Sequence, residues 1–254
     1  MVATAGHGLE LPRVVGHRGA AAVAPENTLA AFREAHRQGA TWIEFDVRLA
    51  RCGTPIVLHD PKLNRTSSGR GRVSDLDAAS IGACDAGRWF HPAFAGERVP
   101  TLDAALDLAA ALGLGCNVEL KAERPAQGRA TAAAVLPLLL TAAVPILVSS
   151  FVVAALEEVR ALAAAMPIGL LVERRIKDHH LDRARGLGAF GLHADRRAYG
   201  DEKVASRVRD AGLWPVAYTV NDVVEARRLH LGLGVATLIS DRPGDLLTAL
   251  AAQS

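Results

Sequence analysis

Short runs of β-branched and aliphatic residues alternate along this chain with longer runs that are rich in Ala, Leu and Arg. The short runs predict strands, because brief apolar runs between turn signals are typical of strands buried in a parallel sheet. The predicted strands cover residues 13–16, 42–48, 116–121, 146–150, 168–172, 189–192, 214–219 and 237–240. The longer runs predict helices near residues 28–38, 102–111, 128–140, 152–164, 181–187, 201–211, 222–231 and 243–251.

The order of these elements predicts the fold class. Strands and helices alternate throughout, which favours an α/β fold with a parallel sheet, and eight such pairs close a (β/α)8 TIM barrel. The 254 residues suit a single domain of this kind, covering residues 1–254. A doubly wound open sheet is the alternative. It usually carries a glycine-rich phosphate turn after an early strand, and the sequence contains neither GxGxxG nor a Walker motif.

One segment interrupts the alternation of strands and helices. Residues 61–100, after the second strand, are rich in Gly, Arg and aromatic residues, and they predict a small insertion. Long irregular loops in compact domains tend to be functional, so we expect this insertion to cover the active site. Trp89 and Phe90 either form a small core within the insertion or act as a lid over the substrate.

The charge and cysteine content exclude several classes of protein. A net charge of only +2 demands neither nucleic acid nor an anionic membrane as a partner. The 3 cysteines are widely spaced, which indicates reduced thiols in a cytoplasmic protein rather than a zinc site or a disulfide framework. Residues 1–11 lack the apolar run of a secretory signal, and the apolar stretch at 131–144 is too short to span a bilayer. We therefore expect a cytoplasmic protein without stable membrane association.

Acidic residues cluster at the ends of two predicted strands. Glu44 and Asp46 are two positions apart on one strand, so both side chains lie on the same face. Glu119 ends the next predicted strand, with Asn117 and Lys121 on its face. Singly, each carboxylate is best explained by a salt bridge or a helix cap. Together, three carboxylates at apolar strand ends are costly without a cation, and they predict a site for one Mg2+ or Ca2+ ion.

Histidines and cations accompany these carboxylates. His17 and His59 follow the first strand and the second strand region, and such a pair can serve as general base and general acid. Arg18 and Lys121 suit a bound phosphate, because Arg offers a bidentate fork and Lys a point charge. The alternative for these two cations is an ion pair with the strand-end carboxylates.

Three other histidines are weaker candidates for a catalytic role. His179 and His180 lie in a charged segment, which we expect to be a solvated surface loop. His193 and Asp195 follow the sixth predicted strand and are candidates for the rim of a pocket at the C-terminal face of the barrel.

Several short motifs follow one another in order across nearly the whole chain. They are His17-Arg18-Gly19, Pro25-Glu26-Asn27-Thr28, Ile43-Glu44-Phe45-Asp46-Val47, His59-Asp60, Leu63, Arg65-Thr66, Asn117-Val118-Glu119-Leu120-Lys121, Ser150-Phe151, Tyr218-Thr219-Val220-Asn221 and Ser240-Asp241. In this order they resemble the glycerophosphodiester phosphodiesterases, and most closely the short bacterial cytoplasmic type. The combination of HRG, PENT, ExD and HD is far more specific than any one of these tripeptides or tetrapeptides.

This resemblance implies a TIM barrel with a small insertion and hydrolysis of glycerophosphodiesters to sn-glycerol 3-phosphate and an alcohol. The site residues that it implies are Glu44, Asp46 and Glu119 for a divalent metal, His17 and His59 for acid–base chemistry, and Arg18 and Lys121 around the phosphate. Either a glycerol hydroxyl of the substrate attacks phosphorus first, giving a cyclic phosphate that water opens, or water attacks directly.

The chain departs from the family pattern at a few positions. Tyr218 stands where the family often has Trp, and its ring either walls the glycerol pocket or packs in the core. Cys52 replaces the usual Asp of a turn, but Gly53, which supplies the positive φ, is kept. Ala236 replaces an Asp before the last strand, at a position that we expect to be structural.

Two other functions use the same residues. The first is a phosphodiesterase acting on lysophospholipids or phosphoinositol esters, which would favour an exposed apolar lip near the barrel mouth. The second is a non-catalytic phosphate-binding barrel, which we would expect to lack at least one of the catalytic or metal residues. We therefore expect a small-molecule glycerophosphodiester as the partner, and no nucleic acid.

Overall fold

The computed structural model describes residues 8–251, and its strands form a closed barrel. The strands are β1 (Val14–His17), β2 (Trp42–Leu49), β3 (Pro55–Val57), β4 (Gly115–Leu120), β5 (Ile146–Ser150), β6 (Ile168–Val172), β7 (Gly191–Asp195), β8 (Trp214–Tyr218) and β9 (Thr237–Ser240). β3 is short and antiparallel to β2, whereas the other strands pair in parallel. Because β1 pairs with both β2 and β9, the eight parallel strands close on themselves. This confirms the predicted TIM barrel and excludes the open doubly wound sheet.

Helices surround the barrel. They are α1 (Leu29–Arg37), α2 (Ala78–Gly82), α3 (Leu102–Leu112), α4 (Pro125–Thr141), α5 (Val153–Leu162), α6 (Asp178–Gly186), α7 (Glu202–Asp210), α8 (Val223–Arg227) and α9 (Pro243–Ala251). Thr28 and Thr101 cap α1 and α3, since their hydroxyls accept hydrogen bonds of 3.3 Å from the N–H groups of Ala31 and Ala104. Among the helices of residues 8–251, none combines the length and the hydrophobicity needed to cross a bilayer.

Apolar side chains fill the barrel on both sides of its wall. Between strands and helices, the rings of Phe32 and Phe45 pack with their centroids 5.3 Å apart. Inside, towards the N-terminal ends of the strands, Phe190 and Trp214 stack at 5.5 Å. The indole N–H of Trp214 donates to the hydroxyl of Thr237 at 2.9 Å, so the buried ring leaves no donor unpaired. The buried acidic side chains lie at the opposite end of the barrel, where the strands end.

The segment at 61–100 forms an apolar cluster of its own together with β3. The buried members of this cluster are Ala50, Ile56, Leu58, Leu63, Val73, Ile81, Ala86 and Val99. Phe90 contacts Trp89 and Phe94 edge to face, with centroid distances of 5.7 Å for both pairs. These contacts form an aromatic cluster within the insertion, in which Trp89 is exposed and Phe90 half-buried. β3 itself was not predicted, because three residues are too few to show a periodic pattern.

The segment before α6 differs from the prediction. α6 begins at Asp178, earlier than predicted, so His179 and His180 lie in a helical turn and not in a loop. The backbone N–H of Lys177 donates to Nδ1 of His180 at 3.2 Å. This contact closes the start of the helix without the Ser, Thr, Asp or Asn that usually marks an N-cap.

β7 lies further along the chain than predicted, and it places His193 inside the barrel. His193 is fully buried, so its predicted position at the pocket rim was wrong. Its Nε2 lies 2.5 Å from the point that a Cβ on Gly169 would occupy, so this histidine fills the space that the glycine leaves. Burial lowers the pKa of His193 to about 3, which keeps the ring neutral. Asp195, at the strand end, accepts hydrogen bonds from the guanidinium of Arg197 at 2.8 Å.

Candidate active site

Three carboxylates meet at the C-terminal ends of β2 and β4. The register places Asp46 opposite Glu119, and side-chain alternation directs both residues and Glu44 into the barrel. Oxygen atoms of the three lie within 4.8 Å of one another, and all three side chains are buried. The structure thus brings together the acidic residues that the sequence predicts as metal ligands, and we call them the carboxylate cluster.

Two cations border the carboxylate cluster. Nζ of Lys121 lies 3.1 Å from Oδ1 of Asp46 and 2.5 Å from Oε1 of Glu119. Nε of Arg18 lies 3.2 Å from Oδ2 of Asp46, and the backbone N–H of Arg18 donates to Glu44 at 3.1 Å. The ion pairs foreseen as an alternative for these cations are therefore made, and they hold both cations beside the cluster.

The three carboxyl groups of the carboxylate cluster have different pKa values, because burial and neighbouring charges act on each of them differently. Burial, aided by the charge of Asp46, raises the pKa of Glu119 to about 7, although Lys121 opposes this shift. Burial and the charges of the other two carboxylates also raise the pKa of Glu44 well above its usual value. Burial acts on Asp46 as well, but Lys121 and Arg18 outweigh it and hold the pKa of Asp46 far below its usual value. A divalent cation entering the cluster would therefore displace protons from Glu44 and Glu119.

His17, the last residue of β1, is held by a carboxylate from the other end of the chain. Its Nδ1 lies 2.6 Å from Oδ1 of Asp241, which follows β9, and the amide of Asn221 donates to Oδ2 of the same aspartate at 2.6 Å. Its Nε2 lies 3.9 Å from Oε2 of Glu44, the residue opposite it in the strand register. With Nδ1 donating to Asp241, Nε2 is free for proton transfer at the carboxylate cluster.

His59 has a similar partner from its own loop. Its Nδ1 lies 2.7 Å from Oδ1 of Asp60. Arg65, from the predicted insertion, donates to both oxygens of Asp60 at 2.8 and 2.9 Å and to both oxygens of Glu26 at 2.7 and 2.8 Å. Glu26 in turn accepts from Arg18 at 2.7 Å, so one network joins the two histidine loops. Burial lowers the pKa of His59, which keeps a neutral ring available as a base at neutral pH.

The loop between β1 and α1 holds the site in an unusual backbone conformation. Arg18 and Asn27 have positive φ angles of 51° and 58°, a region that side chains other than glycine rarely adopt. Gly19, with φ of 88°, lies so close to α1 that a Cβ atom would be 2.5 Å from the carbonyl carbon of Ala31. The amide of Asn27 donates to Oδ2 of Asp46 at 2.8 Å. The loop therefore orients two polar side chains onto the carboxylate cluster at a cost in backbone strain.

A small cavity of about 30 Å³ opens at the inner side of the carboxylate cluster. Its lining residues are His17, Glu44, Asn117, Glu119, Ser149, Leu171, Tyr218 and Ile239. The hydroxyl of Tyr218 donates to the carbonyl of Val172 at 2.7 Å, and its ring packs edge to face on Phe151 at 6.1 Å. Tyr218 thus lines this cavity and also packs against its neighbours.

From the sequence, several residues that the structure brings into the site have no predicted place there, and one of them, Asn27, is only an alternative to Thr28 for the cap of α1, which Thr28 provides. They are Glu26, Asn27, Asp60, Arg65 and Asp241. Each lies inside a motif that carries the family resemblance, which was the available signal. Their partners could not be read from the sequence, because Asp241 and His17 are 224 positions apart.

The carboxylate cluster is chemically suited to a hard divalent cation. Its ligand atoms are carboxylate oxygens, which Mg2+ and Ca2+ prefer. Oδ1 of Asp46 and Oε1 of Glu119 are buried and face the ammonium of Lys121 at 3.1 and 2.5 Å. Burial and repulsion between the carboxylates raise the pKa values of Glu44 and Glu119, and a divalent cation bound there would offset that repulsion.

Comparisons with known proteins identify the family of this chain. A glycerophosphodiester phosphodiesterase of Bacillus subtilis is 30% identical over 249 residues, covering 90% of this chain and 83% of that protein. The structure of an Oleispira antarctica phosphodiesterase in complex with the product sn-glycerol-3-phosphate is 34% identical, with a TM-score of 0.90, and covers 95% of this chain and 97% of that one. A glycerophosphodiester phosphodiesterase structure from Agrobacterium tumefaciens is 29% identical, with a TM-score of 0.78 and coverage of 94% and 100%. The model of the glycerophosphoryl diester phosphodiesterase family matches residues 17–245. This chain therefore belongs to the glycerophosphoryl diester phosphodiesterase family.

Proposed function

We propose that this phosphodiesterase hydrolyses glycerophosphodiesters to sn-glycerol 3-phosphate and an alcohol with the help of one divalent cation. The observation that carries the proposal is the buried carboxylate cluster, bordered by two cations and two carboxylate-bound histidines at one end of the barrel. The Oleispira antarctica relative, described with sn-glycerol-3-phosphate as its product, supports the substrate class.

We assign the metal to Glu44, Asp46 and Glu119, with Mg2+ or Ca2+ as the ion. A bound divalent cation supplies positive charge that polarises an oxygen of the substrate. Arg18 and Lys121 bind the phosphate oxygens, since both cations already lie against the carboxylate cluster. Their charge stabilises the negative charge that builds up on phosphorus-bound oxygens during the reaction.

We assign general acid–base chemistry to His17 and His59. One ring accepts the proton of the attacking hydroxyl, and the other donates a proton to the departing alkoxide as its bond to phosphorus breaks. The attacking group is either a glycerol hydroxyl of the substrate, with water opening the resulting cyclic phosphate, or water itself. Tyr218 presents an apolar ring edge to the glycerol moiety from the wall of the small cavity.

Release of sn-glycerol 3-phosphate from glycerophosphocholine tests the activity. We expect turnover with Mg2+ or Ca2+ and none after treatment with a chelator, with recovery when either ion is restored. Folded protein that turns over no glycerophosphodiester with either ion would contradict the proposal. Full activity in the presence of chelator would remove the metal from it.

Substitution of each histidine tests the acid–base assignment. We expect His17→Ala and His59→Ala each to lower kcat by about 100-fold to 10,000-fold, because a positioned acid or base contributes about that much. His91→Ala is the matched control, since this exposed histidine lies in the segment at 61–100 and contacts only its own loop among the residues that the structure describes. Near-normal kcat in either site variant would contradict the assignment.

A further inference from the structure

An open basic cleft lies beside the mouth of the barrel, between the loops that follow β5 and β6. It has a volume of about 690 Å³, much larger than the 30 Å³ cavity at the carboxylate cluster. Its lining includes the cations Arg174, Arg175, Lys177 and Arg183 and the apolar side chains of Phe151 and Leu171. We call this space the basic cleft.

The positive charge of the basic cleft is not compensated. Glu173 is the one acidic residue among its lining residues. Within the part of the chain that the structure describes, none of the four cations lies within ion-pair distance of a carboxylate. Two acidic residues nearby on α6 are engaged elsewhere: Asp178 pairs with Arg207, and Asp182 lines a different cavity. The cleft therefore presents a concentrated positive potential to solvent.

The basic cleft adjoins the candidate active site. Leu171 lines both the cleft and the small cavity at the carboxylate cluster. Phe151, at the cleft, packs on Tyr218 at the cavity, and its ring centroid is 5.7 Å from Nζ of Lys121. A diester whose phosphate contacts Lys121 and whose glycerol lies by Tyr218 would therefore extend its other substituent towards the cleft.

We propose that the basic cleft binds an anionic group on the alcohol that leaves, so that the preferred substrates carry a carboxylate or a phosphate monoester on that side. The proposal rests on the proposed function and specifies its substrate class. In hydrolysis the bond between phosphorus and the alcohol oxygen breaks, and that oxygen takes a proton. The distant anionic group is unchanged and serves only for binding. A cationic alcohol such as choline gains nothing from these cations, so glycerophosphocholine should be hydrolysed, but with a lower kcat/KM than the anionic diesters.

Two matched substrate pairs test this inference. Glycerophosphoserine and glycerophosphoethanolamine differ by one carboxylate, and glycerophosphoglycerol phosphate and glycerophosphoglycerol differ by one phosphate monoester. We expect kcat/KM for the anionic member of at least one pair to be about tenfold higher, with the ratio falling as ionic strength rises. Preference in the first pair only would assign the carboxylate, and in the second pair only the phosphate.

Substitutions on α6 and in the loop before it test whether the cations of the basic cleft cause the preference for anionic substrates. Arg174→Gln combined with Arg175→Gln, and separately Arg183→Gln, should reduce the anionic preference several-fold while leaving kcat/KM unchanged for glycerophosphoethanolamine and glycerophosphoglycerol, which lack the additional anionic group. Arg185→Gln is the matched control, because Arg185 lies on the same helix but lines another cavity. These side chains are exposed, and thermal unfolding of each variant checks that it folds.

The outcomes separate this inference from the proposed function. No hydrolysis of any of the four diesters would remove the proposed function and this inference with it. Equal kcat/KM within both pairs would overturn this inference alone. Binding of phosphatidylcholine–phosphatidylglycerol vesicles that is lost in the double variant, without any preference among the diesters, would instead assign the cleft to an anionic membrane surface and overturn the inference.

Discussion

The two histidines of the site are oriented by carboxylates of different origin. Asp241 reaches His17 from the loop after the last strand, whereas Asp60 is the immediate neighbour of His59. In each pair the carboxylate engages Nδ1, which orients the ring and, in the proposed mechanism, leaves Nε2 for proton transfer. Asp60 is in turn fixed by Arg65, so its carboxylate is a positioning group whose removal tests the role of His59.

Asp60→Asn should weaken His59 without removing it. We expect kcat/KM to fall roughly 10-fold to 100-fold, the usual effect of losing the partner that orients a functional histidine. Burial lowers the pKa of His59, and the hydrogen bond that its ring donates to Asp60 opposes this effect, so losing that bond lowers the pKa further. The limb of the pH–rate profile that belongs to His59 should therefore move to lower pH.

A full pH–rate profile of the wild type and of Asp60→Asn measures this shift. Asp77→Asn is the control, because Asp77 pairs with Arg51 on the exposed side of the segment at 61–100. A shift to higher pH, or a fall in kcat/KM with no movement of either limb, would contradict the role given to Asp60.

At the level of single residues, strand alternation was the most useful signal. It predicted that Glu44, Asp46 and Glu119 share the barrel interior, because side chains two apart point the same way. The same alternation could not tell how deep a residue lies. His193 faces the interior like those carboxylates, but it lies deeper, where Gly169 leaves room for its ring.

The element with the greatest influence on the site is the loop from β1 to α1. It supplies Arg18, Glu26 and Asn27, and its end is fixed by Thr28. The Thr28 hydroxyl both accepts from the N–H of Ala31 and donates to the carbonyl of Pro25 at 2.7 Å, so it joins the loop to the helix.

Removal of the Thr28 hydroxyl should therefore affect both stability and activity. We expect Thr28→Ala to lower the free energy of unfolding by about 1 kcal/mol, the usual cost of losing an N-cap. Thr101→Ala, which removes the equivalent cap of α3 with the same 3.3 Å bond, should cost a similar amount. Only Thr28→Ala should lower kcat/KM, by about tenfold, because only its loop carries site residues.

Urea unfolding and steady-state kinetics of both variants compare the two effects. Equal kcat/KM in the two variants would show that the conformation of the β1–α1 loop is not set by Thr28. The variants are matched in residue type and in the capping bond, and only Thr28→Ala also removes the bond to the carbonyl of Pro25, so a difference in activity reports on the β1–α1 loop.

The sequence predicted whole elements best where their ends are marked chemically. β5 and β6 each follow a proline, and their predicted bounds are the observed ones, Ile146–Ser150 and Ile168–Val172. The start of α6 is marked only by a histidine side chain acting as a hydrogen-bond acceptor, and β3 is too short for any pattern. The periodic pattern of apolar residues does not reveal a helix cap made by an unusual residue. Nor does it reveal a short strand that forms only because it pairs with a neighbouring strand.

At the scale of the whole molecule, the barrel separates stability from chemistry. Apolar side chains such as Trp214 and Phe190 fill one end of its interior, and buried ionisable groups gather at the other. The free-energy cost of burying the carboxylate cluster is therefore confined to one end of the barrel, and a bound divalent cation would reduce it. Metal binding should consequently be measurable as stability as well as activity.

The thermal stability gained from Mg2+ or Ca2+ should increase with pH. The pKa of Glu119 is raised from 4.5 to about 7, so in the metal-free protein the protonated carboxyl stabilises the fold fully below about pH 4.5, and this contribution is lost as the pH rises through 7. The metal binds the ionised form, so its apparent affinity rises over the same range.

At a metal concentration of about 100 times Kd, binding contributes about 2.7 kcal/mol, which corresponds to a rise in Tm of roughly 5–10 °C for a chain of this size. We expect this rise at pH 8 and a much smaller one at pH 5, measured at fixed metal concentration by differential scanning fluorimetry. Comparing Tm with and without metal at each pH cancels the contribution of histidines outside the cluster, such as His193, whose lowered pKa affects both samples equally.

Glu119→Gln should show little metal-induced shift in Tm at either pH, whereas Glu157→Gln, at an exposed ion pair on α5, should behave like the wild type. A metal-induced rise in Tm that is as large at pH 5 as at pH 8 would contradict the assignment of Glu44 and Glu119 as ligands that lose a proton when the metal binds.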